Sequence, residues 1–414
     1  MHTRTDPRIL VALGLLGLAG GTSAAPFQLN YLGQNIVPTG TQFQGTTVGG
    51  LSGIDFDAAN NRFFAIADDR SALNPARFYT LSLDLSQFNR NVTPGNAGVT
   101  FTAFTPILRP DGSTFPTNTV DPESLRLRNG QLFWANEGQR SAAGFQNPTV
   151  REMNADGSFV RDFDVPAHYN PVGTVGALNP ADAGIRNNLA FESLTFGNDG
   201  EILYTATENS LAQDDPLPAT VLNGSENRVL AFDAGNGTVL AEYVYLTDPV
   251  ADMPIPVTNF ATNGLVELLN VPGLTDTFLA VERSFSTGIP GTGNDIWLYL
   301  TSTAGATDVQ AFTDLDNAGA YTRMSKELLL DLSDLRNIDN TPVALDNIEG
   351  ITWGPTLSNG QASLILVSDN NFSGTQFTQF LAFSVTPVPV PAALPLLASA
   401  LGLAGIFGRR VRQD

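Results

Sequence analysis

The sequence contains no cysteine, which excludes disulfides, thiolate metal sites and a cysteine nucleophile. It holds two histidines, and His2 falls in a leader-like segment, so His168 is the single imidazole left for catalysis or metal binding. No G-x-S-x-G elbow is present, and His168, in PAHYNP, has no evident serine partner. It reads as a surface histidine rather than the base of a serine esterase. Positive charge is scarce as well: Lys326 is the only lysine, and 21 basic residues face 41 acidic ones, a formal charge of −20. Such a surface repels nucleic acid and anionic lipid and attracts divalent cations. Long runs of 3.6-residue apolar periodicity are missing outside the two termini, which argues against a helical solenoid. What is present is 42% hydrophobic residues, 39 Gly and 26 Pro, the composition of a turn-rich β protein with enough apolar material for a large core.

The two ends read as processing signals. Residues 1–25 combine Arg4 and Arg8, the apolar run Ile9 to Ala19 and small residues up to Ala25, the pattern of a secretory signal peptide, with signal peptidase as the implied partner. At the other end, residues 388–414 hold Val388-Pro389-Val390-Pro391, an apolar run from Ala392 to Phe407 and the cluster Arg409, Arg410 and Arg412. With the preceding Val-Pro residues the run approaches the roughly 20 residues needed to span a bilayer, and the arginines favour a cytoplasmic end. The stretch VPVPAALPLLASALGLAGIFGRRVR resembles the PEP-CTERM class of sorting signals, in a variant with Val-Pro in place of Pro-Glu-Pro. That resemblance implies an exosortase-type sorting enzyme as partner and delivery to the cell surface or extracellular matrix after transient membrane anchoring. Removing both ends leaves 16 basic and 39 acidic residues, a formal charge of −23.

Residues 26–387 carry an internal repeat of roughly 70 residues. Its first line reads GLSGIDF (50–56), PESLRL (122–127), FESLTF (191–196), TNGLVEL (262–268) and IEGITW (348–353). Its second reads RFFAIADD (62–69), QLFWANE (131–137), EILYTATE (201–208), TFLAVER (277–283) and SLILVSD (363–369). Asn129-Gly130 and Asp199-Gly200 join two of these pairs as hairpin turns. Each of the first four units has room for two more strands, so the expected fold is all-β, a β-propeller of four-stranded antiparallel blades. Five units are counted, and 302–345 is long enough to hide a sixth. The last unit offers three strands, and Phe27 to Val37 is expected to supply the fourth and close the ring.

In a propeller the start of each innermost strand and the end of the second meet at one channel mouth. A two-residue turn at Asn129-Gly130 pairs Glu123 with Asn136 and sets Glu137 opposite Pro122; the same count pairs Glu192 with Thr207. On this register Asp68, Glu137, Glu208, Glu282 and Asp369 share one repeated position, and Glu123, Glu192 and Glu349 share another. Ser52 and Asn263 replace the acid in the first and fourth units. So many like charges at one mouth need neutralising. Calcium ions take six to eight oxygen ligands without Cys or His, and Arg70, Arg186, Arg228 and Arg283 are the other available counter-charges. Alternatively, the acids bond backbone N–H groups between blades.

The series DPESLRL…GQLFWANEG, RNNLAFESL…GEILYTATENS, FLAVERSF and DNIEGITWGP…LILVSDNNFS is similar to the family described as esterase-like activity of phytase, over about residues 45–385. The resemblance implies an extracytoplasmic β-propeller and a Ca²⁺-assisted hydrolysis of phosphate or other esters. Its motif positions fall on Asp121, Glu123, Glu137, Asn188, Glu192, Glu208, Arg283, Asn347, Glu349 and Asp369. The resulting assignment makes Glu192, Glu208 and Arg283 catalytic and Arg70, Arg186, Asn188 and Arg228 substrate-binding. Asp68, Asp121, Glu123, Glu137, Glu282, Asn347, Glu349 and Asp369 are the metal ligands. A competing expectation is a non-catalytic propeller with structural calcium that binds matrix polysaccharide or protein.

Overall fold

The computed structural model describes residues 25–175, 179 and 181–388. The leader at 1–25 and the sorting tail at 388–414 therefore lie, but for one residue each, outside the described residues. Among the described residues no helix is long and apolar enough to cross a membrane.

Five four-stranded antiparallel sheets form the blades of a propeller. Blade 1 runs outward through Leu51–Asp57, Arg62–Ala67, Arg77–Leu83 and Val99–Pro106, and blade 2 through Pro122–Arg128, Gln131–Asn136, Thr149–Asn154 and Phe159–Asp162. Blade 3 comprises Phe191–Phe196, Ile202–Thr207, Ser225–Asp233 and Val239–Thr247; blade 4 comprises Ala261–Asn270, Thr277–Ser286, Asn294–Ser302 and Ser325–Asp331. Blade 5 has Asn347–Trp353, Ala362–Asp369 and Thr378–Pro387 from the end of the chain, with Phe27–Val37 beside Thr378–Pro387 as its outermost strand. The stretch 302–345 does not make a sixth blade. It contributes the outer strand of blade 4 and a loop whose Val309 and Leu315 pack on Val244 of blade 3.

The apolar runs of the second strands, such as RFFAIA, follow from burial on both faces. Alternate side chains point to opposite neighbours: Phe63 joins the cluster between blades 5 and 1 with Leu51, Val367 and Phe380, while Phe64 joins that between blades 1 and 2 with Leu125 and Trp134. The remaining interfaces repeat the scheme, with Phe133 and Phe191 between blades 2 and 3 and Tyr204 and Phe278 between blades 3 and 4. Val281 and Leu366 lie between blades 4 and 5. Each fully buried apolar side chain contributes about 1.5–3 kcal/mol relative to an exposed one, so no blade is stable without its neighbours. The turn at Asn129-Gly130 has both residues in the left-handed region, φ 53° and 84°, as a tight hairpin requires.

Candidate functional site

Every innermost strand carries one extra residue at the same place. Pairing slips between Leu51 and Gly53, Pro122 and Leu125, Phe191 and Ser193, Leu265 and Glu267, and Ile348 and Gly350. The bulged residues are Ser52, Glu123 or the adjacent Ser124, Glu192, Val266 and Glu349. A bulge bends the strand and re-aims a side chain. The register expected from turn counting is therefore off by one beyond it: Asn136 faces Pro122 and Thr207 faces Phe191. Strand pairing also fixes which residues of blade 4 correspond to the acids elsewhere. Gly264 faces Arg283 just as Asn347 faces Asp369, so Arg283, not Glu282, occupies the position of Asp68, Glu137, Glu208 and Asp369. Val266 takes the place of the bulged glutamate.

At this end of the ring lies a pocket of about 680 Å³, lined among others by Asp68, Glu123, Glu192, Glu208, Arg283, Asn347, Glu349 and Asp369, with Arg70 and Asn188 on its wall. Asp121 and Glu137 are buried alongside. With Asp346, which also lines the pocket, nine carboxylates thus meet two guanidinium groups. Arg70 Nη2 lies 2.5 Å from Asp121 and 3.5 Å from Glu137 and donates to Asn188 Oδ1 at 2.7 Å. Arg283 Nη2 donates to Glu208 Oε1 at 3.0 Å and lies 3.6 Å from Glu349, and its Nη1 donates to Asn347 Oδ1 at 2.5 Å. Asn347 Nδ2 in turn donates to Glu349 at 3.0 Å and Asp369 at 3.2 Å. One acid is also tied to backbone between blades: Glu137 Oε1 accepts from Ala190 N–H at 2.9 Å. Among the described residues Asp68, Glu123, Glu192 and Asp369 have no ion pair, Asp68 Oδ1 is buried without a hydrogen-bond partner, and so is Arg283 Nε.

Burial raises these carboxyl pKa values, and the crowding of like charges adds to it. Asp68, Glu123, Glu137, Glu192 and Asp369 are pushed well above the usual carboxylate range, burial first and neighbouring acids second. Burial outweighs the opposing pull of Arg283 at Glu349, which rises to about 8, and at Glu208, and the pull of Arg70 at Asp121. For both guanidinium groups the surrounding acids outweigh the cost of burial and hold the charge. Carboxylate oxygens of Asp121, Glu123 and Glu137, and of Glu137, Glu192 and Glu208, lie within 4.8 Å of one another. With the orphaned Asp68 oxygen and the excess of negative charge, this all-oxygen donor set fits a hard divalent cation.

The pocket is a mouth and not a tunnel. One residue beyond each bulge stand Gly53, Ser124, Ser193, Glu267 and Gly350, and Glu267 fills the axis. It accepts from Ser124 Oγ at 2.7 Å and from Leu194 N–H at 2.9 Å, and pairs with Arg126 at 3.0 Å. Small residues opposite are required there: a Cβ on Gly53 would lie 2.8 Å from Ser124 Cα.

A family model described as phytase-like, esterase-like activity of phytase, matches residues 46–372. The chain belongs to this family. No curated protein matches the phytase-like chain significantly in sequence. Among solved structures it is similar to an exo-1,5-alpha-L-arabinanase from a bovine ruminal metagenomic library, at 8% identity and TM-score 0.38 over 83% of this chain and 95% of that one. It is also similar to a gluconolactonase from Xanthomonas campestris, at 12% identity and TM-score 0.30 over 88% of this chain and 98% of that one. A putative 6-phosphogluconolactonase from Bacteroides uniformis gives 12% identity and TM-score 0.31 over 86% and 95%.

Three residues expected at the phytase-like site lie elsewhere. Glu282 is turned outward on its strand, where it accepts from Tyr245 Oη at 2.6 Å and Asp248 N–H at 3.0 Å and pairs with Lys326. Arg228 is fully buried between Asp214, at 2.6 and 2.7 Å, and Glu242, at 2.8 Å. Arg186 donates to the carbonyls of Ser210, at 2.8 Å, and Asp215, and burial lowers its pKa to about 10. These arginines are near the repeat in sequence, but Arg186 is spent on loop carbonyls and Arg228 on Asp214 and Glu242. His168 is no free surface group, since its Nε2 is 3.3 Å from Glu242. Sequence reading missed the apolar wall of the pocket, Phe260, Phe285 and Ile289. Phe260 precedes the first repeated motif of blade 4, and Phe285 and Ile289 follow the second, so periodicity carried no signal for them.

Proposed function

We propose that the protein is a divalent-cation-dependent ester hydrolase acting on phosphate monoesters at this mouth, with Ca²⁺ as the cation. The observation that carries the reading is the convergence of nine buried or pocket-lining carboxylates on two guanidinium groups, with Asp68, Glu123, Glu192 and Asp369 among those left without an ion pair. Asp121, Glu123 and Glu137 would hold the cation, with Asp68 and Asp369 on the facing side. A bound Ca²⁺ supplies ligation of phosphoryl oxygens, neutralisation of the developing charge and a bound water of lowered pKa. Arg283, its plane fixed by Asn347 and Glu208, orients the anion, and Arg70 does so from the other wall. Glu192 lines the pocket without a guanidinium partner and serves as the proton carrier. It takes a proton from the attacking water as the new P–O bond forms, and returns it to the alkoxide as the ester P–O bond breaks. Glu208, held by Arg283, positions that arginine.

Hydrolysis of p-nitrophenyl phosphate and p-nitrophenyl acetate by the full chain, with Ca²⁺ or with EDTA, tests the reading. We expect Ca²⁺-dependent phosphatase turnover and a loss of about 100-fold or more in kcat for Glu192→Gln. Turnover no greater than that of a Glu192→Gln/Glu208→Gln control overturns it. The bond between Glu137 and the Ala190 N–H favours a second reading, in which calcium only ties blades together and the surface binds matrix polysaccharide or protein. Loss of thermal stability in EDTA with no activity would select it. Export through the leader and exosortase-dependent sorting through the tail belong to the same proposal; terminal sequencing of the protein recovered from its native cell surface tests both cleavages.

A further inference from the structure

The two walls of the pocket differ. Around blades 1, 3 and 5 the wall is polar, with Arg70, Asn188, Asn371, Thr375 and Gln376. Blade 4 adds the apolar side chains Phe260, Phe285 and Ile289, set among Thr262, Thr287 and Asn294. Phe260 is 63% exposed, and its ring lies 6.2 Å from that of Phe285 with an interplanar angle of 37°. The two loops that carry this wall are tied to each other: Ile255 N–H donates to Thr287 O at 2.8 Å and Thr287 N–H to Phe260 O at 3.1 Å. Ser286 N–H closes the second loop on Gly293 O at 3.0 Å. Gly293, at φ 78°, permits that turn and leaves room for the Phe285 ring, 3.2 Å from where a Cβ would stand. An exposed phenylalanine beside a half-buried one, held in this way and continuous with a floor of arginine and carboxylates, is a surface that water solvates poorly.

We propose that blade 4 makes the site selective for monoesters whose alcohol is aromatic or alkyl, with the anionic head at the Arg283 end of the pocket and the apolar group against Phe260 and Phe285. This deepens the ester-hydrolase reading and rests on it. A polyphosphorylated polyol presents charge on all sides and gains nothing from the apolar wall. Its charges would also meet the unneutralised acids and the chain's formal −20. A monoester with one charged end and one apolar end matches both halves of the pocket.

The test uses non-hydrolysable anions, so it does not depend on turnover. Calorimetric titration of the full chain in Ca²⁺ with phenylphosphonate and methylphosphonate is expected to show phenylphosphonate bound about tenfold more tightly, the gain from removing one face of a ring from water. In Phe260→Ala, a substitution at an exposed side chain that leaves the core intact, the ratio of the two affinities falls toward one. Phe260→Trp, which keeps an aromatic face, retains it. Equal affinities in the unsubstituted chain, or a preference that survives both Phe260→Ala and Phe260→Ala/Phe285→Ala, overturn the selectivity while leaving the anion site standing. Failure of both phosphonates to bind in Ca²⁺ overturns the ester-hydrolase reading along with it.

Discussion

Arg283 stands where blades 1, 2, 3 and 5 carry Asp68, Glu137, Glu208 and Asp369, so one blade answers the charge that the others create. Replacing it with methionine leaves Glu208 and Glu349 facing each other inside the pocket. Breaking a buried pair by removing one partner costs about 3–5 kcal/mol, and urea unfolding of Arg283→Met in EDTA should show a loss of that order, smaller when Ca²⁺ is present to take over the neutralisation. Arg228 behaves differently although it is also an arginine beside the repeat. Its guanidinium is spent on Asp214 and Glu242, away from the mouth. Arg228→Met should therefore destabilise by a similar amount, about 3–5 kcal/mol. The activity per folded molecule, from kcat/KM at a temperature well below the unfolding transition, should be unchanged. A selective fall in kcat/KM for phosphate esters would return Arg228 to the site.

The element that builds the mouth is the bulge at the start of each innermost strand, together in blades 1 and 4 with the glycine two residues before it. At Gly50 a Cβ would lie 2.1 Å from Asp68 Oδ1, and at Gly264 one would lie 2.2 Å from Glu208 Cγ and 2.3 Å from its Oε1. Gly264→Ala should push Glu208 off Arg283, destabilise by about 1–3 kcal/mol through overpacking and raise KM for a phosphate ester more than it lowers kcat. An unchanged KM would show that the contact is not needed for anion binding. The blades themselves were legible in the sequence because the apolar runs and the Asn129-Gly130 and Asp199-Gly200 turns are local signals. So was the gathering of Glu123, Glu192, Glu349 and their partners, since repetition at constant spacing implies one face. The slip of one residue was not legible: a bulge is decided by which backbone groups pair across strands, and FESL or IEGI reads the same with or without it. Glu282 looked like the repeated acid for a different reason: it is the carboxylate beside the repeated position in blade 4, where the backbone places Arg283.

Across the whole molecule, the raised carboxyl pKa values at the mouth link stability to pH in one direction. Asp68, Glu123, Glu137, Glu192, Glu349 and Asp369 hold protons more tightly folded than unfolded, Glu349 up to about 8. Glu267 on the axis, raised by burial to about 7, has the same sign. Above the unfolded values of about 4 to 4.5, the folded chain therefore binds more protons than the unfolded one. Stability falls as pH rises and goes on falling until the folded groups ionise. Asp57 and Glu242 have lowered pKa values, with burial opposed by their hydrogen bonds to Asn60 and His168 and by nearby Arg62 and Arg228. Their contribution is lost only on further acidification, so the two sets bracket a maximum on the acid side of neutrality. A cation at the mouth competes with the same protons, and its stabilisation must grow with pH. Thermal melts in EDTA should show Tm falling between about pH 5 and about pH 8.5, and the difference between Ca²⁺ and EDTA should widen over the same interval. With Glu267→Gln the fall in EDTA should be shallower but should persist, because Gln removes one titrating group on the axis and leaves those of the mouth. A Tm independent of pH in EDTA, or a Ca²⁺ effect that is constant across the interval, would mean that the acids of the mouth are not the groups that bind the ion.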